Sequence, residues 1–169
     1  MTPEKLEQEL ERLHAESFAW ALGCCSRDRA EAEDVLQEAY LKILEGRARF
    51  LGRSSLKTFF FSVIRRTASE HRRRALWRRF LPLGGESDRP LRQSLPAEPT
   101  AAAAAERRIF VGRALRALAR RQREVLTLVF AHGLTVEESA AALGISVGSA
   151  RVHYQRGKAR MATLLRGER

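Results

Sequence analysis

The chain has 169 residues, including 31 Lys or Arg and 20 Asp or Glu, and its formal net charge is +11 at pH 7. No apolar run approaches the roughly 20 residues that a membrane-spanning helix needs, and signal-peptide and lipidation patterns are absent, so we expect a soluble cytoplasmic protein without membrane contact of its own. The positive charge indicates a polyanionic partner.

The charges are distributed unevenly along the chain. Residues 1–45 contain five basic and eleven acidic side chains, residues 46–80 contain eleven and one, and residues 110–169 contain eleven and four. Two basic segments predict two separate contacts with a polyanion, and the acidic N-terminal segment predicts a surface for a different partner.

The first 45 residues have helical periodicity. Thr2, Pro3 and Glu4 predict a helix start, and Gly23 predicts its end. The apolar stripe of the next helix, predicted to be core, contains Val35, Leu36, Ala39, Tyr40, Ile43 and Leu44. The opposite face contains Asp34, Gln37, Glu38, Leu41, Lys42 and Glu45. Spacing alone leaves open whether that face binds a partner or is merely solvated.

A long helix is predicted from about Leu56 to Arg79. Its apolar side contains Phe60, Val63, Ile64, Thr67 and His71, and the other side contains Arg65, Arg66, Ser69, Arg72 and Arg73. The consecutive Phe59, Phe60 and Phe61 cannot all face one stripe, so we expect at least one near the surface. Aromatic rings beside arginines suit single-stranded nucleic acid. Burial of all three rings among neighbouring helices remains the alternative.

Residues 81–105 are predicted to be a linker between a domain of residues 1–80 and a domain of residues 106–169. Four of the five prolines lie between Leu81 and Thr100, where no apolar period is present. The alanine run that follows is expected to begin the next helix.

The segment from Leu134 to Arg160 has the pattern of a helix-turn-helix. Thr135 and Glu138 predict a capping box, Gly144 predicts the tight turn, and Ser146 predicts the cap of the second helix. That second helix carries basic side chains at Arg151, His153, Arg156, Lys158 and Arg160. This pattern favours contact with duplex DNA over the alternative, a plain helix pair with a solvated basic face.

Patterns for catalysis and metal binding are missing from the sequence. Cys24 and Cys25 are adjacent, which strains a mutual disulfide, and no CxxC motif or paired histidine spacing offers a metal site. Nucleophile elbows and phosphate-cradling loops are absent. We therefore expect no enzyme, no cofactor and no metal. We expect both cysteines to be buried or simply reduced thiols, with a redox or regulatory role as the alternative.

Three segments, AEAEDVLQEAYLKIL at 30–44, FLGRSSLK at 50–57 and TFFFSVIRRTASEHRRR at 58–74, resemble region 2 of a bacterial RNA polymerase sigma factor. The stretch from Leu118 to Leu165 resembles region 4. Together they resemble the small extracytoplasmic-function (ECF) group of the sigma-70 family. The resemblance implies an all-α fold of two small helical domains joined by a flexible linker. It also implies an alternative-type sigma factor that binds core RNA polymerase, directs it to promoters and helps open the DNA.

The resemblance implies a role for each of three surfaces. In the family, the face that docks on the clamp helices of the polymerase matches Asp34, Gln37, Glu38, Leu41 and Lys42. The loop from Arg47 to Ser55 and the helix after it read and melt the minus-10 element. The corresponding residues here are Arg53, Phe59, Arg65, Arg66, Ser69, Glu70, Arg72 and Arg73. In region 4, the residues turned toward the minus-35 major groove are Ser149, Arg151, His153 and Arg156, and Lys158 and Arg160 contact phosphates.

An inhibitory anti-sigma factor is a further partner implied by the resemblance. Two other classes remain open: a stand-alone helix-turn-helix regulator that binds duplex DNA as a dimer, and an RNA-binding structural protein. The helix from Phe59 to Arg74 suits melted DNA and so argues against a regulator that binds only duplex. The chain departs from the family's usual residues at Phe59, Arg66, Glu70, Ala119, Ser139 and Ala150.

Overall fold

The computed structural model describes residues 2–80 and 102–166. Within these ranges the chain forms eight α-helices and no strand, which confirms the all-α prediction. The chain divides into two compact units, Met1–Gln93 and Ser94–Arg169. Residues 81–101 of the predicted linker lie outside the described residues, and its boundaries remain predictions.

The first unit contains α1 (Pro3–Arg12), α2 (His14–Cys24), α3 (Arg29–Leu44) and α4 (Leu56–Phe80). The sequence predicted one helix up to Gly23, and the structure has a break at Leu13. Hydrogen bonding continues through the break, because the Leu13 N–H donates to the Glu9 carbonyl at 3.2 Å and the Ser17 N–H donates to the Leu13 carbonyl at 2.9 Å.

Helix α4 packs against both α2 and α3. Phe61 is fully buried and stacks on Trp20 of α2 with ring centroids 5.8 Å apart. Phe60 is also fully buried, and its centroid lies 5.0 Å from that of Tyr40 on α3. Phe59 is only half-buried. This confirms that the three rings do not all enter the core. The three side chains point in different directions around α4, and α2 and α3 cover only two of these directions.

The core position predicted for Leu44 is wrong. Val35, Leu36, Ala39 and Ile43 are buried as expected, but Leu44 is 58% exposed. Leu44 is the last residue of α3, and the chain turns at Gly46, where φ is +70°. The packing surface of the neighbouring helices therefore does not cover it.

The second unit contains α5 (Ala102–Arg116), α6 (Arg120–Phe130), α7 (Val136–Leu143) and α8 (Val147–Arg166). The capping box of α7 is confirmed: the Glu138 N–H donates to Thr135 Oγ1 at 3.0 Å, and the Thr135 N–H donates to Glu138 Oε2 at 2.9 Å. Gly144 ends α7 with φ +63°. Ser146 Oγ accepts from the Ser149 N–H at 3.1 Å. The helix-turn-helix prediction is confirmed at each of these positions.

Small residues bring α8 close to its neighbours. Ala150 is fully buried, and Gly157 is buried against α6. A Cβ atom added at Gly157 would lie 3.1 Å from Leu126 Cδ1 and 3.3 Å from Gln122 Cβ. Any side chain there would crowd α6, so the missing side chain sets the distance between the two helices.

The two tryptophans provide a stability test. Trp20 is 1% exposed and its Nε1–H donates to the Phe61 carbonyl at 3.1 Å, whereas Trp77 is 70% exposed. We expect Trp20→Ala to lower the free energy of unfolding by about 3 to 5 kcal/mol, and Trp77→Ala to change it by less than about 0.5 kcal/mol. Urea titration followed by circular dichroism measures both. Equal losses in the two variants would contradict the core described here.

Candidate nucleic-acid interface

The outer face of α3 contains three of the five residues predicted to bind polymerase. Asp34, Gln37 and Leu41 are exposed, and their spacing places them on one side of the helix. Leu41 is 50% exposed. This side of α3 therefore combines a carboxylate, an amide and an apolar side chain that are accessible to a partner.

Glu38 and Lys42 do not share that exposure, which corrects the expectation of one exposed face. The Lys42 Nζ lies 3.0 Å from Glu38 Oε1 and 2.6 Å from Glu70 Oε2. His71 Nε2 lies 2.6 Å from Glu38 Oε2. Because α4 packs beside this edge of α3, Lys42 pairs with Glu70 of α4 and Glu38 pairs with His71 of α4. Glu70, which was predicted to contact DNA, is likewise engaged by Lys42.

This ion-pair cluster shifts the titration of Glu38. Burial acts to raise the pKa of Glu38, but hydrogen bonds from His71 and Lys42, together with the charge of Lys42, outweigh burial and lower the pKa to about 2. Lys42 also donates to Thr67 Oγ1 at 3.0 Å. The cluster therefore holds an ionised carboxylate between α3 and α4.

The predicted minus-10 surface lies along α4 and the loop before it. Arg53, Arg66 and Arg73 are exposed, and Arg65, Ser69 and Arg72 are half-buried. The Phe59 ring packs against Phe50 of the loop, with the ring centroids 5.4 Å apart and the ring planes tilted by 51°. The structure thus places an aromatic pair next to basic side chains, an arrangement that can stack bases and hold phosphates.

The loop also presents a residue that the sequence analysis missed. Leu51 is 66% exposed and follows Phe50, which supports the Phe59 ring. Both residues border a groove beside the loop, together with Arg49. Two successive apolar residues before Gly52, outside any helical period, were the available signal for an apolar contact surface.

Helix α8 turns one face away from its unit. Ala150 and Gly157 mark the inward direction, and helical geometry at 100° per residue then directs Val152 and Gln155 outward. Both are exposed, and neither was predicted as a site residue. The seven-residue spacing of two small residues was the signal that could have identified this face.

The six predicted minus-35 residues do not all share that face. Arg151 and Arg156 flank it on opposite sides and are exposed, as are Ser149, Lys158 and Arg160. His153 is half-buried, because it lies within about 60° of the inward direction of α8.

Two basic side chains on one flank of α8 already have partners. Arg151 Nη2 lies 2.9 Å from Glu137 Oε1 on α7. Lys158 Nζ lies 5.2 Å from the centre of the Tyr154 ring, which stacks on Phe130 at a centroid distance of 6.1 Å. This flank therefore differs chemically from the flank of Arg156.

The cysteines are free thiols. Cys25 is buried, and burial is the main cause that raises the pKa of its thiol to about 12. Among the described residues, no group of three or more His, Cys, Asp or Glu could hold a metal ion. No helix within the described ranges is long and apolar enough to cross a membrane.

Comparison with known proteins accounts for both units. Residues 10–78 match the family described as Sigma-70 region 2, and residues 111–161 match the family described as Sigma-70, region 4. The chain is 31% identical over 135 residues to the ECF RNA polymerase sigma factor SigX of Bacillus subtilis (strain 168), covering 78% of this chain and 69% of the relative. It is also 31% identical over 135 residues to EcfG, an ECF RNA polymerase sigma factor of Rhodopseudomonas palustris (strain TIE-1), covering 79% and 71%.

Solved structures show the same likeness. The sigma factor RpoE, crystallised with the anti-sigma factor NepR from Bartonella quintana, is 26% identical, with a TM-score of 0.73 over 98% of this chain and 99% of that chain. The structure of CnrH in complex with the cytosolic domain of CnrY is 21% identical, with a TM-score of 0.65 over 99% and 92%, and it supports the fold alone.

The lowered pKa of Glu38 predicts a pH-dependent stability. Because the folded-state pKa of about 2 lies below the usual 4.5, the ionised carboxylate stabilises the fold above pH 4.5, and this stabilisation is lost as the pH falls toward 2. We expect Glu38→Gln to be less stable than wild type at neutral pH, with a difference that shrinks as the solution is acidified. Urea titrations at about pH 7, 5 and 3 measure it.

The control is Glu33→Gln, because Glu33 is exposed and pairs with Arg29 on the surface of α3. Exposed pairs contribute little to stability, so its difference from wild type should stay small at every pH. A Glu38→Gln difference that does not change with pH would show that the ion-pair cluster does not control the titration of this carboxylate.

Proposed function

The chain belongs to the sigma-70 family, in its extracytoplasmic-function group, and we propose from this membership how its surfaces share the steps of transcription initiation. It is an alternative sigma factor that directs RNA polymerase to promoters. Sigma factors are transcription initiation factors and are not catalysts themselves. A stand-alone helix-turn-helix regulator is not favoured, because the match to region 2 accompanies the match to region 4.

A line of three side chains on α4 carries the proposal. Phe59, Arg66 and Arg73 are separated by seven residues each, which is about two helical turns, so they share one side of α4 and span roughly 21 Å. Both arginines are exposed and the ring is half-buried. A melted strand can stack a base on the ring while its phosphates meet the guanidinium groups. We assign reading and melting of the minus-10 element to this side.

The other residues of the minus-10 surface act around this line. Arg53 lies in the preceding loop, and Arg65, Ser69 and Arg72 lie along the adjacent side of α4. Extruding a base costs a few kcal/mol of stacking, which phosphate contacts from these side chains help to offset. Glu70 contributes differently, because it holds Lys42 between the two helices.

The exposed side of α3 is assigned to core polymerase. Asp34, Gln37 and Leu41 supply the accessible contacts, and the acidic character of residues 1–45 keeps this surface distinct from the DNA-binding one. Glu38 and Lys42 support the interface by fixing α3 against α4. Polymerase binding and promoter melting then use two different surfaces of one helix pair.

The outward face of α8 is assigned to the minus-35 element. Arg151 and Arg156 read base edges, and an arginine paired with guanine is worth about 1 to 3 kcal/mol of discrimination. Ser149 lies beside them at the start of the helix, His153 supports the helix from its half-buried position, and Lys158 and Arg160 contact the backbone. Backbone contacts position the helix without reading sequence.

An anti-sigma factor is proposed as the regulator of this chain. RpoE is similar to it over nearly its whole length and was crystallised with an anti-sigma factor. We further propose that the chain acts in the cytoplasm with RNA polymerase and needs no cofactor or metal.

The polymerase assignment predicts that Asp34→Ala combined with Gln37→Ala weakens binding to core RNA polymerase while leaving the helix content and the unfolding midpoint unchanged, since both side chains are exposed. The matched control is Glu4→Ala with Gln8→Ala, which removes one carboxylate and one amide from the exposed side of α1. Fluorescence anisotropy with purified core polymerase gives the affinities. Equal affinity for wild type and the α3 variant would reject the assignment.

The melting assignment predicts that Phe59→Leu reduces promoter opening, because leucine keeps apolar volume beside Phe50 but has no ring on which a base can stack. Permanganate reactivity of thymines in the minus-10 region measures opening by the reconstituted holoenzyme. Phe18→Leu is the control, since Phe18 is also half-buried in the first unit but belongs to α2. Wild-type reactivity in Phe59→Leu would exclude a DNA-facing role for the ring.

A further inference from the structure

Glu137 links the outer surfaces of the two helix-turn-helix helices through an ion pair with Arg151. It is the second residue of α7, and its Oε1 accepts a hydrogen bond from Arg151 Nη2 at 2.9 Å. Both side chains are more than half exposed, 53% for Glu137 and 67% for Arg151. Exposed pairs of this kind contribute about 0 to 1 kcal/mol to stability. The fold therefore gains little from the pair. Because Arg151 lies on α8, the helix proposed to bind DNA, we expect the use of the pair to lie in DNA binding.

The pair lies where charge matters most for DNA binding. Arg151 is on one flank of the outward face of α8, whereas Arg156, on the other flank, has no carboxylate within ion-pair distance among the described residues. Glu137 stands in the first turn of α7, where the helix dipole favours a negative charge. The hydrogen bond from Arg151 is the main cause that lowers the pKa of Glu137, and the carboxylate is ionised at neutral pH as an ordinary exposed glutamate is.

We propose that Glu137 is a specificity-determining residue that positions the Arg151 guanidinium for a base edge and withholds it from phosphates. This inference rests on the proposed function of α8 as the minus-35 reader. A guanidinium has five donors, so it can keep one on Glu137 while presenting the others to guanine O6 and N7. The carboxylate itself repels the phosphate backbone, which penalises the sequence-independent contacts that Arg151 would otherwise make.

The charge balance gives a quantitative expectation. While Arg151 is paired with Glu137, its charge is largely compensated and its binding releases few counterions. With Glu137→Gln, the shape is kept and the charge is removed, so Arg151 becomes a full cation for phosphates. The slope of log K against log salt should steepen by about 0.9. Raising the salt concentration from 50 to 200 mM should therefore lower the affinity of Glu137→Gln for DNA by about three- to fourfold more than that of wild type.

The test measures binding of the holoenzyme, assembled from the full chain and core polymerase, to duplexes carrying each single-base change in the minus-35 element, at several salt concentrations. We expect Glu137→Gln to bind unrelated sequences more tightly than wild type and to discriminate less at one or two base pairs. Glu138→Gln is the matched control. It removes the same charge from the same turn of α7, and glutamine keeps the capping box.

Arg151→Ala and the double variant complete the cycle. If Glu137 acts through Arg151, Glu137→Gln has no further effect on discrimination or salt slope once Arg151 is alanine. The same effect in both backgrounds, or no effect of Glu137→Gln in the wild-type background, overturns the inference. If Arg151→Ala itself leaves discrimination unchanged, the assignment of Arg151 as a base reader fails, and the positioning role fails with it.

Discussion

The packing of α4 between α2 and α3 is the constraint on which the first unit depends. Phe61 is buried against Trp20 on one side and Phe60 against Tyr40 on the other, so the rotation of α4 about its own axis is fixed. A helix held in two directions cannot turn to bury a third, and Phe59 is left at the boundary with solvent. The same rotation also places the side of α4 that contains Arg66 and Arg73 in solvent.

The Lys42 cluster adds a polar counterpart to this apolar packing. Charged groups taken out of water destabilise a fold unless they are paired and hydrogen-bonded, and Lys42 meets this condition with two carboxylates and a threonine hydroxyl. Each carboxylate belongs to a different helix. A sliding or rotation of α4 against α3 would break at least one of these contacts. The surface proposed for polymerase and the surface proposed for melted DNA are therefore held in one fixed arrangement.

Local signals in the sequence were sufficient for the helix-turn-helix, although they did not predict the break at Leu13 between α1 and α2. The capping box at Thr135, the left-handed Gly144 and the cap at Ser146 depend on residues within four positions of one another, and the structure confirms all three. The pairing of Lys42 with Glu70 could not be predicted in this way. The two residues are 28 positions apart, and helical periodicity gives the direction of a side chain but not the helix that covers it. The exposure of Leu44 has a related origin, because periodicity does not show where the packing surface of the neighbouring helices ends.

The absence of a side chain at Gly157 has an evolutionary consequence. The α6–α8 separation depends on a position that faces the protein interior, and even a methyl group there would push against Leu126. A displacement at the middle of this 20-residue helix would tilt α8. A small tilt at the centre becomes a larger displacement at the N-terminal end, which carries Arg151. Related chains could thus diverge in the promoter sequence that they prefer through a buried residue, with every side chain of the proposed minus-35 surface unchanged.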